Sequence, residues 1–300
     1  MQTARTPGPE PVILSLNAMA TRFEMALYGP DPRLLRAAGE EALQEIERLE
    51  AQLSFYRPDS EIRFLNDHAV RGPVKVEPRL FRFLKKCACL SASTAGAFDI
   101  TVGPLMRAWR FVNDSGAIPQ PDEREAARSL VGTEYVEFDD DAHTVRFSKQ
   151  GMEIDLGACG KGYAIERAVT LLKENGVASA LIQGGTSSAY AIGAPPQGGA
   201  WRVRLADPFL AEARPIVVDL IDCALSVSAI HGKFFECDGR RYGHVIDPRS
   251  GQVVSASVAA AVTGPFAADC EALSTALLVN GPSWLRDMAE AFPTYRGWIA

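Results

Sequence analysis

Residues 152–163 read Met152-Glu153-Ile154-Asp155-Leu156-Gly157-Ala158-Cys159-Gly160-Lys161-Gly162-Tyr163. The apolar run into Asp155 predicts a strand, Gly157 and Gly160 a tight turn, and residues 161–175 a helix with Ile165, Ala168 and Leu172 on one stripe. A helix amino terminus offers unpaired N–H groups and partial positive charge, which suits a phosphate. Lys161 adds a full charge on a flexible stem. The stretch is neither the dinucleotide glycine fingerprint nor a P-loop, so an ordinary turn is the competing reading.

Working outward, residues 12–16 and 23–28 alternate as a hairpin. A long helix is expected after Asp31-Pro32, with Leu35, Ala42, Ile46, Leu49 and Leu53 inward and Glu40, Glu41, Glu45, Glu47 and Glu50 on its wet side. A second helix is expected over 79–94, ending near Gly96. Short strands are expected at 134–138, 143–147, 179–183, 188–193, 201–206, 215–220, 224–228 and 253–262, and a last helical pair at 267–280 and 283–291. The polar stretch from Asn113 to Asp122 is the candidate lobe boundary. This order is too irregular for strict βαβ alternation. It favours an α+β fold of mixed or antiparallel sheets with packed helices.

The 300 residues are 47% hydrophobic, enough for a large core. A net charge of −6 argues against nucleic-acid binding, which needs a basic face. No segment reaches the roughly 18 apolar residues of a membrane span, and the start, MQTARTPGPEP, lacks a signal-type apolar run; a cytoplasmic protein with a disordered segment over residues 1–10 is expected. The six scattered cysteines contain no C-x-x-C, so reduced, mostly buried thiols are expected.

Three further segments carry chemistry. Glu271 and Thr275 lie one turn apart on an expected helix, where a carboxylate and a hydroxyl make hard ligands for Mg²⁺, or ordinary helix surface. Asp269, near the start of that helix, is a capping candidate. His244 precedes the turn Asp247-Pro248-Arg249-Ser250-Gly251. His68, His143 and His231 read as structural. Asp99, within Gly96-Ala97-Phe98-Asp99-Ile100-Thr101-Val102-Gly103-Pro104-Leu105, sits among apolar residues and must find donors in a ligand or the backbone.

Taken in order, these segments resemble the ApbE-type FAD:protein FMN transferases. Met19-Ala20-Thr21-Arg22-Phe23 is similar to that family's Met-Gly-Thr-x-aromatic. Ser54-Phe55-Tyr56, with Ser60-Glu61 and Leu65-Asn66, is similar to its Ser-x-Tyr and Ser-Glu-x-x-x-Leu-Asn. Gly96 to Leu105, Asp155 to Ala164, His244 to Gly251 and Glu271 to Leu277 match four more of its motifs. The resemblance runs from Met19 to about Gly281 and implies one ApbE-like domain over 11–300, with FAD in a cleft between two lobes. It implies that Met19, Tyr56, Ala97, Phe98, Asp99, Asp155, Lys161 and Val245 bind FAD. It further implies that Ala158 (by its carbonyl), residue 271 and Thr275 ligate Mg²⁺, and that His244 is catalytic. The implied reaction moves FMN from FAD to a Ser or Thr hydroxyl of a partner flavoprotein and releases AMP.

The sequence departs from the family's pattern at three places. The family's metal Asp is Glu271, its Gly-Gly-Asp is Gly184-Gly185-Thr186, and its Thr-Ser-Gly is Val227-Ser228-Ala229. These changes keep two alternatives open: a protein that binds and delivers FAD without transfer, and an FAD pyrophosphatase.

Overall fold

The computed structural model describes residues 10–111, 116–205, 216–230, 234–255 and 258–300. The chain opens with β1 (Val12–Ala18), β2 (Thr21–Tyr28), α1 (Pro32–Leu53), α2 (Glu61–His68), β3 (Val74–Lys75), α3 (Pro78–Ser93), α4 (Gly103–Ala108) and α5 (Pro121–Arg128). It continues through β4 (Val136–Asp139), β5 (Thr144–Phe147), α6 (Gly160–Glu174), β6 (Ser179–Gly184), β7 (Ser188–Ile192), β8 (Trp201–Arg204) and β9 (Val217–Leu220). Then come β10 (Cys223–Ala229), β11 (Phe234–Cys237), β12 (Arg240–Gly243), β13 (Ile246–Asp247), β14 (Gln252–Val253), β15 (Ala259–Gly264), α7 (Ala267–Asn280), α8 (Leu285–Ala291) and β16 (Arg296–Ile299). The main sheet has the order β1-β2-β6-β7-β10-β15-β16, and its β1-β2, β2-β6, β6-β7 and β7-β10 pairings are antiparallel. This is the expected α+β class.

Two compact units divide the chain. The first is built from Met1–Glu50, Lys161–Ser226 and Thr263–Cys270, the second from Ala51–Gly160, Val227–Val262 and Glu271–Ala300.

In the first unit α1 lies against the β1-β2 hairpin. A Cβ on Gly39 would come within 2.2 Å of Leu14 Cδ1 and 2.9 Å of Leu27 Cδ1, so a larger residue there would have to displace those leucine side chains. Ile165 of α6 and Phe23 of β2 close over Gly184 in the same way, at 3.2 and 3.1 Å from its notional Cβ. Leu35, Ala42, Ile46, Leu49 and Leu53 are buried as their spacing requires. The wet-face expectation fails for Glu45 and Glu50. Glu45 pairs with Arg48 and Arg167, and Glu50 accepts the Met19 N–H, so both are half-buried.

In the second unit a small sheet of order β3-β5-β4 accompanies a core of Leu105, Ala108, Trp109, Phe111, Ala127 and Ile246. Trp109 anchors it by donating its indole N–H to the Gly251 carbonyl at 2.8 Å. The β11-β12 hairpin, unannounced in the sequence, stacks Phe235 on Tyr242 with ring centroids 5.2 Å apart.

Helices α2, α4 and α5 were also not expected: each is eight residues or fewer, too short for a periodic stripe. Conversely, residues 152–156 do not form the expected strand, and only Glu153 makes an isolated bridge, to Val102. The expectations on residues 1–9, 113–115, 206, 215, His231 and 256–257 lie outside the described residues. All six cysteines are thiols, of which Cys87, Cys159 and Cys270 are buried and Cys89 is exposed. Among the described residues no helix is long and apolar enough to cross a membrane.

Candidate active site

The segment before the glycine turn is held by a side chain instead of a neighbouring strand. Asn66 Nδ2 donates to the Ile154 carbonyl at 2.9 Å, and the Ile154 N–H donates to Asn66 Oδ1 at 2.7 Å. One amide thus satisfies both backbone groups of a buried residue, as a strand partner would. The Asp155 N–H donates to the Ile100 carbonyl at 2.7 Å. The chain then turns on Asp155 itself, whose Oδ1 accepts the Gly157 N–H at 2.8 Å. The Leu156 carbonyl accepts from Gly160 at 2.7 Å, and α6 begins there. Lys161, half-buried, therefore stands in the first turn of a fifteen-residue helix, at its electropositive end. Gly162 follows because a Cβ there would lie 2.5 Å from the Ala267 backbone.

Cys159 reports on what surrounds the turn. It is fully buried, with its Sγ 3.8 Å from that of Cys87. Burial, the neighbouring Cys87 and the negative charges of Glu271 and Asp155 push its thiol well above the usual range. Glu271 itself is 3% exposed on α7, a helix buried on nearly every face. The helix-surface reading of Glu271 and Thr275 is thereby corrected: an isolated surface Glu has no reason to be there. Thr275, one turn on, is half-buried, and its Oγ1 lies 3.1 Å from Ser228 Oγ. Ser228 Oγ lies 2.8 Å from Ser274 Oγ, which donates to the Glu271 carbonyl at 3.0 Å.

The Asp99 carboxylate serves the fold. Its Oδ1 accepts from Thr101 N and Oγ1 at 2.7 and 2.6 Å, and its Oδ2 from Ser91 Oγ at 3.0 Å and Thr133 N at 3.3 Å. Burial nonetheless raises its pKa, against the lowering from those hydrogen bonds. Ala97 and Phe98 are buried. Asp99 and Gly96 border a cavity of about 770 Å³, with Thr133, Pro248 and Arg249 on its wall. Its size suits a ligand, and Asp155, Ala158 and Glu271 do not line it. His244 is half-buried between β12 and β13, and Val245 beside it is buried. Tyr56 is 55% exposed, and Arg107 lies over the neighbouring Phe55 ring at 4.9 Å. In the first unit, Met19 and Ala20 form the tip of the β1-β2 hairpin at φ 51° and 56°, with the Met19 N–H on Glu50.

Two residues gained a role only in three dimensions. Asn66 belonged to a motif quoted for its resemblance, with nothing to mark it as the clamp on Ile154. Ser228 stood out only as the middle of an altered triplet.

Among the described residues no group of three or more His, Cys, Asp or Glu is placed to hold a metal. Of the three expected ligands, Glu271 offers a carboxylate, Thr275 a hydroxyl and Ala158 a backbone carbonyl, while Asp155, Asp269 and Ser274 bring further oxygens to the turn and α7. Such a hard set fits Mg²⁺, which keeps waters and takes further oxygens from a bound phosphate.

Comparison with known proteins agrees with the sequence reading. The ApbE family matches residues 19–297. An FAD:protein FMN transferase of Treponema pallidum is 32% identical over 88% of this chain and 77% of its own length. One from Escherichia coli K12 is 28% identical over 96% of this chain and 83% of its own. The ApbE protein of Thermotoga maritima superposes with a TM-score of 0.87 at 27% identity, covering 97% of this chain and 94% of that one. The flavinyl transferase ApbE of Pseudomonas stutzeri gives 0.84 at 25% identity, covering 99% and 96%.

Proposed function

We propose that this chain, which belongs to the ApbE family, is an enzyme that transfers FMN from FAD to a Ser or Thr hydroxyl of an acceptor flavoprotein, releasing AMP with the help of Mg²⁺. The observation that carries the reading is the burial of Glu271, 3% exposed on α7, with Thr275 one turn further along the same helix.

In this reading Asp155 and Lys161 hold the nucleotide of FAD, Lys161 adding its charge to that of the α6 amino terminus. Met19, Tyr56, Ala97, Phe98, Asp99 and Val245 contact the rest of the cofactor, Ala97 to Asp99 through their backbone because the Asp99 carboxylate is already engaged. The Ala158 carbonyl, Glu271 and Thr275 would hold Mg²⁺. When bound, the ion supplies positive charge for the diphosphate oxygens. The acceptor hydroxyl attacks the phosphorus of the FMN half, an O–P bond forms, and the bond to the AMP phosphate breaks in line. His244 takes the hydroxyl proton, work suited to an imidazole near neutral pH. Glu271 keeps the charge of the family's Asp at one methylene greater reach.

The test mixes the protein, FAD and Mg²⁺ with an acceptor flavoprotein carrying an acceptor Thr. The expected result is flavin fluorescence that survives denaturing electrophoresis, with AMP appearing in equal amount. AMP and FMN released without an acceptor would show hydrolysis instead. No covalent flavin on an acceptor that the Treponema pallidum relative labels under the same conditions would refute transfer.

A further inference from the structure

We propose that Ser228 is a positioning residue for the metal site: it accepts the hydroxyl proton of Thr275, so that lone pairs of Thr275 Oγ1 are what α7 presents to a divalent cation. The inference rests on the reading that Glu271 and Thr275 hold Mg²⁺.

A hydroxyl has one proton to give and two lone pairs to receive with. The chain of contacts ends on a carbonyl, and we take that end to orient the protons in it. The Glu271 carbonyl can only accept, so Ser274 spends its proton there, at 3.0 Å. Ser274 Oγ then meets Ser228 Oγ at 2.8 Å as the acceptor, and the Ser228 proton is spent in turn. Ser228 therefore receives from Thr275, at 3.1 Å. Three hydroxyls donate one way, from Thr275 back to the carbonyl of Glu271, one turn earlier on the same helix.

This direction matters because a cation repels an O–H aimed at it. A Thr hydroxyl that rotates freely must first be turned, whereas here a buried Ser274 and a half-buried Ser228 hold it turned. The altered triplet Val227-Ser228-Ala229 on β10 thus retains the member that does this work.

The experiment counts bound Mn²⁺ by EPR, with FAD present, in wild type and in Ser228→Ala, Ser228→Thr, Ser274→Ala and Thr275→Val. FAD affinity without metal is measured beside it by flavin fluorescence. Ser228→Ala is expected to weaken Mn²⁺ binding about ten-fold, the usual size for a residue that orients a ligand, with metal-free FAD affinity unchanged. Ser228→Thr, which keeps the hydroxyl, recovers most of the loss. Ser274→Ala also weakens Mn²⁺ binding, because the Ser228 proton then turns onto Thr275 Oγ1 and occupies a lone pair. If Thr275→Val weakens Mn²⁺ binding while Ser228→Ala does not, the relay is refuted and the metal reading stands. If Thr275→Val leaves Mn²⁺ binding unchanged, the metal reading itself falls. A parallel loss of metal-free FAD affinity in Ser228→Ala overturns the positioning role in favour of general packing.

Discussion

Replacing Asn66 probes the clamp on which the Asp155–Gly160 turn hangs. The side chain is 8% exposed, and its two hydrogen bonds to Ile154 measure 2.9 and 2.7 Å. Asn66→Ala leaves the Ile154 N–H and C=O without partners in a dry place. Each stranded group costs roughly 1–3 kcal/mol, so the pair should cost about 3 kcal/mol. With a urea slope of about 3 kcal/mol/M, at the upper end for small proteins, the unfolding midpoint should fall by about 1 M. Asn66→Asp is the sharper variant. It preserves shape and one acceptor for the Ile154 N–H, yet sets a carboxylate oxygen against the Ile154 carbonyl and loses the donor. It should cost at least as much as Asn66→Ala, although it changes little volume. The assay is urea unfolding followed by tryptophan fluorescence, paired with FAD titration. FAD affinity should fall in both variants, because Asp155 and the turn follow directly from Ile154. An Asn66→Asp protein within about 0.5 kcal/mol of wild type, the range of an ordinary surface change, would refute the clamp.

Met19 and Ala20 both occupy left-handed backbone, which costs a residue with a Cβ roughly 1–2 kcal/mol. Ala20→Gly should therefore raise stability by about 1 kcal/mol, read as a higher thermal midpoint; a lower midpoint would mean that the hairpin tip is not strained. Asp99 has a folded pKa above its unfolded one, so the folded state holds its proton more tightly between the two values. Stability should fall as pH rises through that window, and urea midpoints at stepped pH should show this fall in wild type but not in Asp99→Asn.

The long, strongly patterned elements were legible along the chain. The stripe from Leu35 to Leu53 foretold α1, and that of Ile165, Ala168 and Leu172 foretold α6. In each, one face must be apolar for the helix to pack at all, so the pattern is local. The family was legible too, because motifs such as Asp155 to Ala164 are contiguous. The short elements were not. Helices α2 and α5 run for only eight residues, little more than two turns, and α2 is fixed at its start by Ser60 Oγ accepting the Arg63 N–H.

By itself the sequence determined the α+β class, the turn from Asp155 into α6, and the residue types that suit a diphosphate and a hard cation. The tertiary structure decided what those residues can do. It buried Glu271, tied the Asp99 carboxylate to Thr133, and replaced an expected strand over 152–156 with the Asn66 amide. The last two join residues far apart in the chain, as Asn66 and Ile154 are with 88 positions between their numbers. Spacing along a chain specifies which face of an element is apolar. It does not specify which distant polar group will meet a backbone N–H or a carboxylate once that face is buried. That pairing is set when water is excluded and every remaining donor must find an acceptor.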